Sequence, residues 1–140
     1  MSRDGRRLVV AAAILDSLRS PTMMLCARRS APAALAGKWE LPGGKVEPEE
    51  DAESALHREL VEELGVEVRL GPVVPASDGG DWPILDHLVM RVWLAELATG
   101  SPEPLEDHDE LAWVPRERLP ELDWLEPDRP IVAALQAATA

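Results

Sequence analysis

The stretch GKVEPEEDAESALHRELVEELGV, Gly44 to Val66, decides how the chain is read. From Asp51 to Leu64 the apolar residues Ala52, Ala55, Leu56, Leu60 and Leu64 recur at three- and four-residue steps, which predicts a helix with one buried stripe. Gly65 supplies the helix stop. On the same helix Glu59, Glu62 and Glu63 stand at i, i+3 and i, i+4, so three carboxylates share one patch. Like charges so placed repel unless a cation sits among them, and an all-oxygen donor set suits Mg2+ or Mn2+ better than zinc. An acidic helix face is more often merely solvated. The small residues ahead of this one, Pro42, Gly43 and Gly44, tip the reading, because they form a tight loop that lets a phosphate approach the backbone.

The spacing matches the pattern G-x5-E-x7-R-E-U-x-E-E-x-G-U, with U a bulky aliphatic, at Gly44, Glu50, Arg58, Glu59, Leu60, Glu62, Glu63, Gly65 and Val66. The chain therefore resembles the Nudix hydrolases, and within them the MutT-like nucleotide pyrophosphohydrolases. The resemblance implies an α/β fold, an α/β/α sandwich around a mixed β-sheet. It also implies Mg2+-dependent water attack on a bridging phosphate, turning a nucleoside triphosphate into monophosphate and pyrophosphate, with Mn2+ as a possible substitute.

Roles for single residues follow from that resemblance. Glu59, Glu62 and Glu63, the Gly43 carbonyl and Asp107 become the metal ligands. Asp107 stands six residues before Trp113, where relatives carry a glutamate, and the alternative is that its acidic run is a solvated loop. Glu59 is the general base, with Glu62 beside it. Arg58 holds a glutamate in its rotamer, as its fork geometry suits a carboxylate, and Glu50 fastens the loop. Arg29 matches an arginine that contacts nucleotide. Trp39 and Glu40 enter the glycine turn, where an aromatic either stacks on a base or packs the core. Gly44 and Lys45 face phosphate. Asp128 stands where MutT has asparagine, either reading the base or capping the last helix. His108 is read as a hydrogen-bonding loop residue, while His57 and His87 carry no assigned chemistry.

The whole chain narrows the alternatives. Its 140 residues suit one domain spanning 1–140 with a real core, and a 46% hydrophobic share is ordinary for a globular protein. No apolar run approaches the roughly 20 residues that cross a bilayer, and MSRDGRR leads into a strand, so a cytoplasmic protein is expected. Cys26 stands alone, which excludes an intrachain disulfide or a cysteine metal cluster. A net charge of -12 opposes binding to a nucleic-acid backbone or an anionic membrane but not to a small polyanion carrying cations. The expected partner is a small-molecule nucleotide, and the protein a monomer or homodimer.

Strands are expected at Leu8–Leu15, Thr22–Ala27, Lys38–Leu41, Val66–Val74, Ile84–Leu97 and Leu111–Val114. Ser77–Pro83 and Thr99–Glu106 are read as loops, Arg116–Leu122 as a turn of helix and Asp128–Ala138 as the closing helix. Among substrates, nucleoside triphosphates of the 8-oxo-dGTP or (d)CTP type rank first. Dinucleoside polyphosphates rank lower because the chain has no tyrosine. ADP-ribose and nucleotide sugars also rank lower, since Pro83 is out of register. A non-catalytic nucleotide sensor of the same fold commonly lacks a box glutamate, and none is missing here.

Overall fold

The computed structural model describes residues 7–85 and 87–140. The N-terminal leader and the Asp86 position of the expected Ile84–Leu97 strand lie outside the described residues. In chain order the elements are β1 (Arg7–Leu15), β2 (Met23–Arg29), β3 (Trp39–Glu40), β4 (Gly43–Lys45), α1 (Ala52–Leu64), β5 (Glu67–Val73), β6 (Trp82–Leu85), β7 (Leu88–Thr99), β8 (His108–Pro115) and α2 (Arg129–Ala138), with 3₁₀ turns at Arg116–Glu121 and Glu126–Asp128. The strands form one sheet with the spatial order β3-β2-β1-β7-β5, to which β4, β6 and β8 attach through β1, β7 and β2. β1 and β7 run parallel while β1 and β2 close antiparallel, so the sheet is mixed.

β1 lies at the centre and is buried on both faces. Leu8, Val10, Ala12 and Ile14 point to one side, where α1 lays down Ala55, Leu56, Leu60 and Leu64. Val9, Ala11, Ala13 and Leu15 point to the other, against Leu119, Trp124 and the α2 residues Ile131, Val132 and Leu135. The result is the α/β/α sandwich: two apolar layers separated by a sheet whose alternation feeds both. β7 alternates in the same way, with Leu88, Met90 and Val92 on the α2 side and Val89, Trp93 and Ala95 on the α1 side. Cys26 is fully buried on β2, and burial pushes its thiol up to about 12, which leaves it inert.

Helix α1 begins where Asp51 accepts a hydrogen bond from the Ser54 N–H at 2.8 Å, and ends at Gly65 in the left-handed region. Glu63 is the one charged residue in its buried stripe.

Four expectations are corrected. The Pro42–Gly43–Gly44 segment is not simply a tight loop, because Gly43 to Lys45 runs extended as β4 and pairs with Val9 to Ala11 of β1. Its glycines serve close approach: a Cβ on Gly43 would overlap the Val10 carbonyl and the Ala11 Cα, and one on Gly44 would overlap the Glu59 carboxylate. The apolar run after Pro83 is two strands, an edge strand β6 paired antiparallel to β7. Pro83 is tolerated there because an edge strand has a side that donates to no neighbour. β2 continues to Arg29, and β8 starts at His108 within the acidic run that reads as a loop. The β2–β8 register skips between Arg28 and Arg29, which pair with Glu110 and His108. This bulge sets both Asp109 and Glu110 beside Arg28, at 2.9 and 3.1 Å, and leaves His108 buried.

Candidate active site

Pairing of β4 with β1 fixes the backbone of Gly43 and Gly44 at the edge of a cleft of about 580 Å³. Arg29, Glu40, Gly43, Gly44, Lys45, Glu63 and Asp128 line it together with aliphatic walls from Leu41, Leu88, Met90 and Pro127. Seven of the residues singled out from sequence thus meet in one place, although they come from five different segments of the chain.

The box glutamates divide into two settings. Arg58 grips Glu50 through Nε and a terminal nitrogen at 2.7 and 2.9 Å, and bonds the Lys45 carbonyl at 3.3 Å. That hydrogen bonding holds the Glu50 carboxyl down at about 2 and ties the β4 end to the helix. A second Arg58 nitrogen reaches Glu59 at 3.0 Å and Glu62 at 3.4 Å. Glu59 is largely buried and Glu62 is 44% exposed. Burial shifts Glu59 upward, with the charges of Glu62 and Glu106 adding to it against Arg58.

Glu63 turns the other way, into the cleft. Its Oε1 accepts the Gly43 N–H at 2.9 Å. Burial pushes its carboxyl up to about 8, opposed by His108 and that N–H and reinforced by Glu40 and Glu59. Two desolvated carboxylates with upward shifts, flanking a glycine that leaves no room for a Cβ, fit a hard divalent cation, because a cation relieves the cost that burial imposes.

Glu40 is a hub. Its Oε2 accepts from Arg29 at 2.9 Å and lies 2.8 Å from His108 Nε2. Burial lowers His108, yet the Glu40 bond and the charges of Glu63 and Glu40 outweigh it, and the net shift is upward. Sequence reasoning placed His108 in a loop; the signal that it faces inward is the bulge, which has no mark in a single sequence.

Trp39 and Asp107 lie outside the cleft lining, whereas Asp128 lies in it. Trp39 packs in the core and its backbone bridges to Trp124. Asp107 is 64% exposed and sits 3.7 Å from Arg29, not in the cleft lining. Asp128 precedes α2 but makes no side-chain cap, which corrects the capping alternative. Its Oδ2 instead accepts the Leu41 N–H at 3.2 Å.

Burial raises the Asp128 carboxyl from 3.8 to about 7, helped by Glu40 and opposed by the Leu41 N–H. An acid whose folded value is raised contributes stability below its unfolded value and loses it as pH climbs to the folded one. The metal-free protein therefore loses stability from about pH 4 toward pH 7 through this group, and Asp128→Asn flattens that part of the profile. Thermal melts of both proteins across the range check this; equal slopes would mean that Asp128 ionises freely.

Comparisons with known proteins converge on these elements. A family model described as NUDIX domain matches residues 5–135. A Mycobacterium tuberculosis protein carrying the provisional name 8-oxo-dGTP diphosphatase 2 is 40% identical over 129 residues, 92% of this chain and 87% of its own. The CTP pyrophosphohydrolase of Escherichia coli (strain K12) is 35% identical over 117 residues, 84% of each chain. The solution structure of the E. coli ORF135 protein superposes with a TM-score of 0.75 at 29% identity, covering 100% of this chain and 96% of that one. With the box complete from Gly44 on β4 through Glu59, Glu62 and Glu63 on α1 to Val66, and the match running from before β1 into α2, the chain belongs to the Nudix hydrolase family.

Proposed function

We propose that the protein hydrolyses a nucleoside triphosphate of the (d)CTP or 8-oxo-dGTP type to nucleoside monophosphate and pyrophosphate, with Mg2+ as the working ion and Mn2+ as a substitute. The observation that carries this reading is one cleft whose lining combines Glu63, Gly43, Gly44 and Lys45 with Asp128 and aliphatic side chains. A polyphosphate with a base attached needs both kinds of lining. The activities named for the two relatives, on 8-oxo-dGTP and on CTP, support both base types.

Glu59, Glu62, Glu63 and the Gly43 carbonyl would hold the ion, and Asp107, 3.7 Å from Arg29, would have to leave that arginine to join them. When bound, Mg2+ makes water a better nucleophile and balances phosphate charge. Glu59, its carboxylate against Gly44, takes the proton from the attacking water. Arg58 holds Glu59 and Glu62 in place, and Glu50 anchors Arg58. Lys45 faces phosphate; Arg29, braced by Glu40, and Asp128 contact the nucleoside.

With one Asp128 oxygen engaged by Leu41, the other is left for the base. Ionised, it accepts from the exocyclic amine of cytosine; protonated, it donates to a ring nitrogen or carbonyl. Asp128→Asn accordingly shifts the ranking of bases more than it lowers total turnover. The test is a Mg2+-dependent panel of the common ribo- and deoxynucleoside triphosphates, 8-oxo-dGTP, 5-methyl-dCTP, ADP-ribose and a dinucleoside polyphosphate, run on both proteins. Preferential cleavage of one triphosphate, re-ranked by the substitution, is expected. Cleavage of ADP-ribose or the dinucleotide alone would overturn the substrate class, and an unchanged ranking would remove Asp128 from base contact.

A further inference from the structure

His108 is buried beside the cleft for a reason that triphosphate hydrolysis by the box glutamates does not supply. Its side chain is 0% exposed. Nε2 lies 2.8 Å from Glu40 Oε2, and because an ionised carboxylate only accepts, that nitrogen carries the proton. In the neutral ring the lone pair is then on Nδ1. That atom is buried without a hydrogen-bond partner among the described residues, and it faces Glu63 Oε2 at 3.9 Å. The separation is too long for a hydrogen bond. A buried ring nitrogen with nothing opposite it is costly, so the gap calls for an occupant.

The geometry suits a cation. Two metal–ligand bonds of about 2.1 Å each, one to nitrogen and one to oxygen, bracket a gap of this size. Glu40 on the far nitrogen fixes the ring and its tautomer, the arrangement in which a carboxylate orients a metal-binding histidine. Glu40, Glu63 and His108 offer ligand atoms that all lie within 4.8 Å of one another. Arg29 extends the chain of contacts on the Glu40 side, its guanidinium 2.9 Å from Glu40 Oε2.

We propose that His108 Nδ1 and Glu63 form a mixed nitrogen–oxygen subsite for a divalent transition ion, with Glu40 orienting the imidazole. The proposal rests on the reading of Glu63 as a metal ligand and adds a donor that the glutamate box lacks. Imidazole favours Zn2+, Ni2+ and Fe2+ over Mg2+, which prefers oxygen and sheds water reluctantly. The subsite therefore discriminates between ions that the carboxylates alone accept in common.

Long-range proton–nitrogen spectra of the full wild-type chain, labelled with 15N-histidine and titrated first with Mg2+ and then with Zn2+ as a diamagnetic probe, test this directly. The expected result is an unprotonated Nδ1 on His108 that ignores Mg2+ and moves to a metal-bound shift at stoichiometric Zn2+, with His57 and His87 as internal controls. A His108 protonated on both nitrogens, or an Nδ1 that Zn2+ leaves unmoved, would overturn the proposal. By calorimetry, His108→Gln lowers Zn2+ affinity about 10-fold or more; unchanged affinity would count against it. The wild-type spectra stand even if the variant folds poorly. Neither readout needs turnover. A Zn2+ response in a protein that hydrolyses no triphosphate would keep the subsite and remove the activity, and hydrolysis without a His108 response would do the reverse.

Discussion

Glu63→Gln lowers turnover by about 10²- to 10³-fold, the scale lost when one preorganised electrostatic contact to a transition state is removed. The same substitution leaves the fold intact and raises the melting temperature of the metal-free protein at pH 7.5. Both effects have one cause. Glu63 sits in the buried stripe of α1 with its carboxyl pushed up to about 8, so burial already opposes its charge well below neutrality. A carboxyl raised on folding contributes stability at low pH and loses it as pH rises toward 8. Glutamine removes that penalty, and its carbonyl still accepts the Gly43 N–H. Glu59→Gln loses turnover on the same scale, because its carboxylate lies against Gly44 and in the grip of Arg58. Steady-state kinetics alongside thermal melts give the answer. A slow but more stable Glu63 variant marks a residue kept for chemistry; near-wild-type turnover from either variant would sink the site assignment.

Gly43→Ala is expected to cost about 3 kcal/mol or more, combining overpacking with a backbone conformation that L side chains rarely adopt. The added Cβ meets the Val10 carbonyl and the Ala11 Cα, which belong to the central strand and cannot step aside. Gly37→Ala is the control, since Gly37 also has a positive φ but has nothing within 4 Å. Gly44→Ala separates chemistry from folding: its Cβ meets only the end of the Glu59 side chain, which can swing away. It should keep the fold while displacing Glu59 and cutting turnover. Urea midpoints for the three variants, with turnover for the last, decide this. A Gly43→Ala protein as stable as Gly37→Ala would mean that β4 does not press on β1 as described.

Helix α1 was legible in the sequence because its 3.6-residue period and its stop at Gly65 are local signals that agree with one another. The two faces of β7 were legible for the same reason, since period-two alternation needs no knowledge of neighbours. What escaped was set by pairing. Gly43 and Gly44 look like turn residues until β1 lies against them. β6 merges with β7 in sequence because the residues between them are too few to interrupt an apolar run. His108 and Asp109 look like a solvated acidic loop until the bulge against β2 turns one inward and the other out.

The same distinction holds at the site. The box could be read position by position because it is one continuous run, from Gly44 on β4 through α1 to Val66. Glu40, His108 and Asp128 come together only through the β2–β3 pairing, the β2–β8 bulge and the bond from Leu41 to Asp128. Trp39 shows the converse: its position beside the glycines left base stacking and core packing both open, and strand pairing and the bridge to Trp124 direct it into the core.

The central claim, that the box glutamates cut a nucleoside triphosphate between its α- and β-phosphates, is tested most directly by phosphorus NMR of the reaction with Mg2+, for wild type and Glu63→Gln side by side. The account predicts monophosphate and pyrophosphate appearing in equal amounts with wild type, and a rate reduced by at least 10²-fold with the variant. Diphosphate and inorganic phosphate as products, or equal rates for the two proteins, would contradict it.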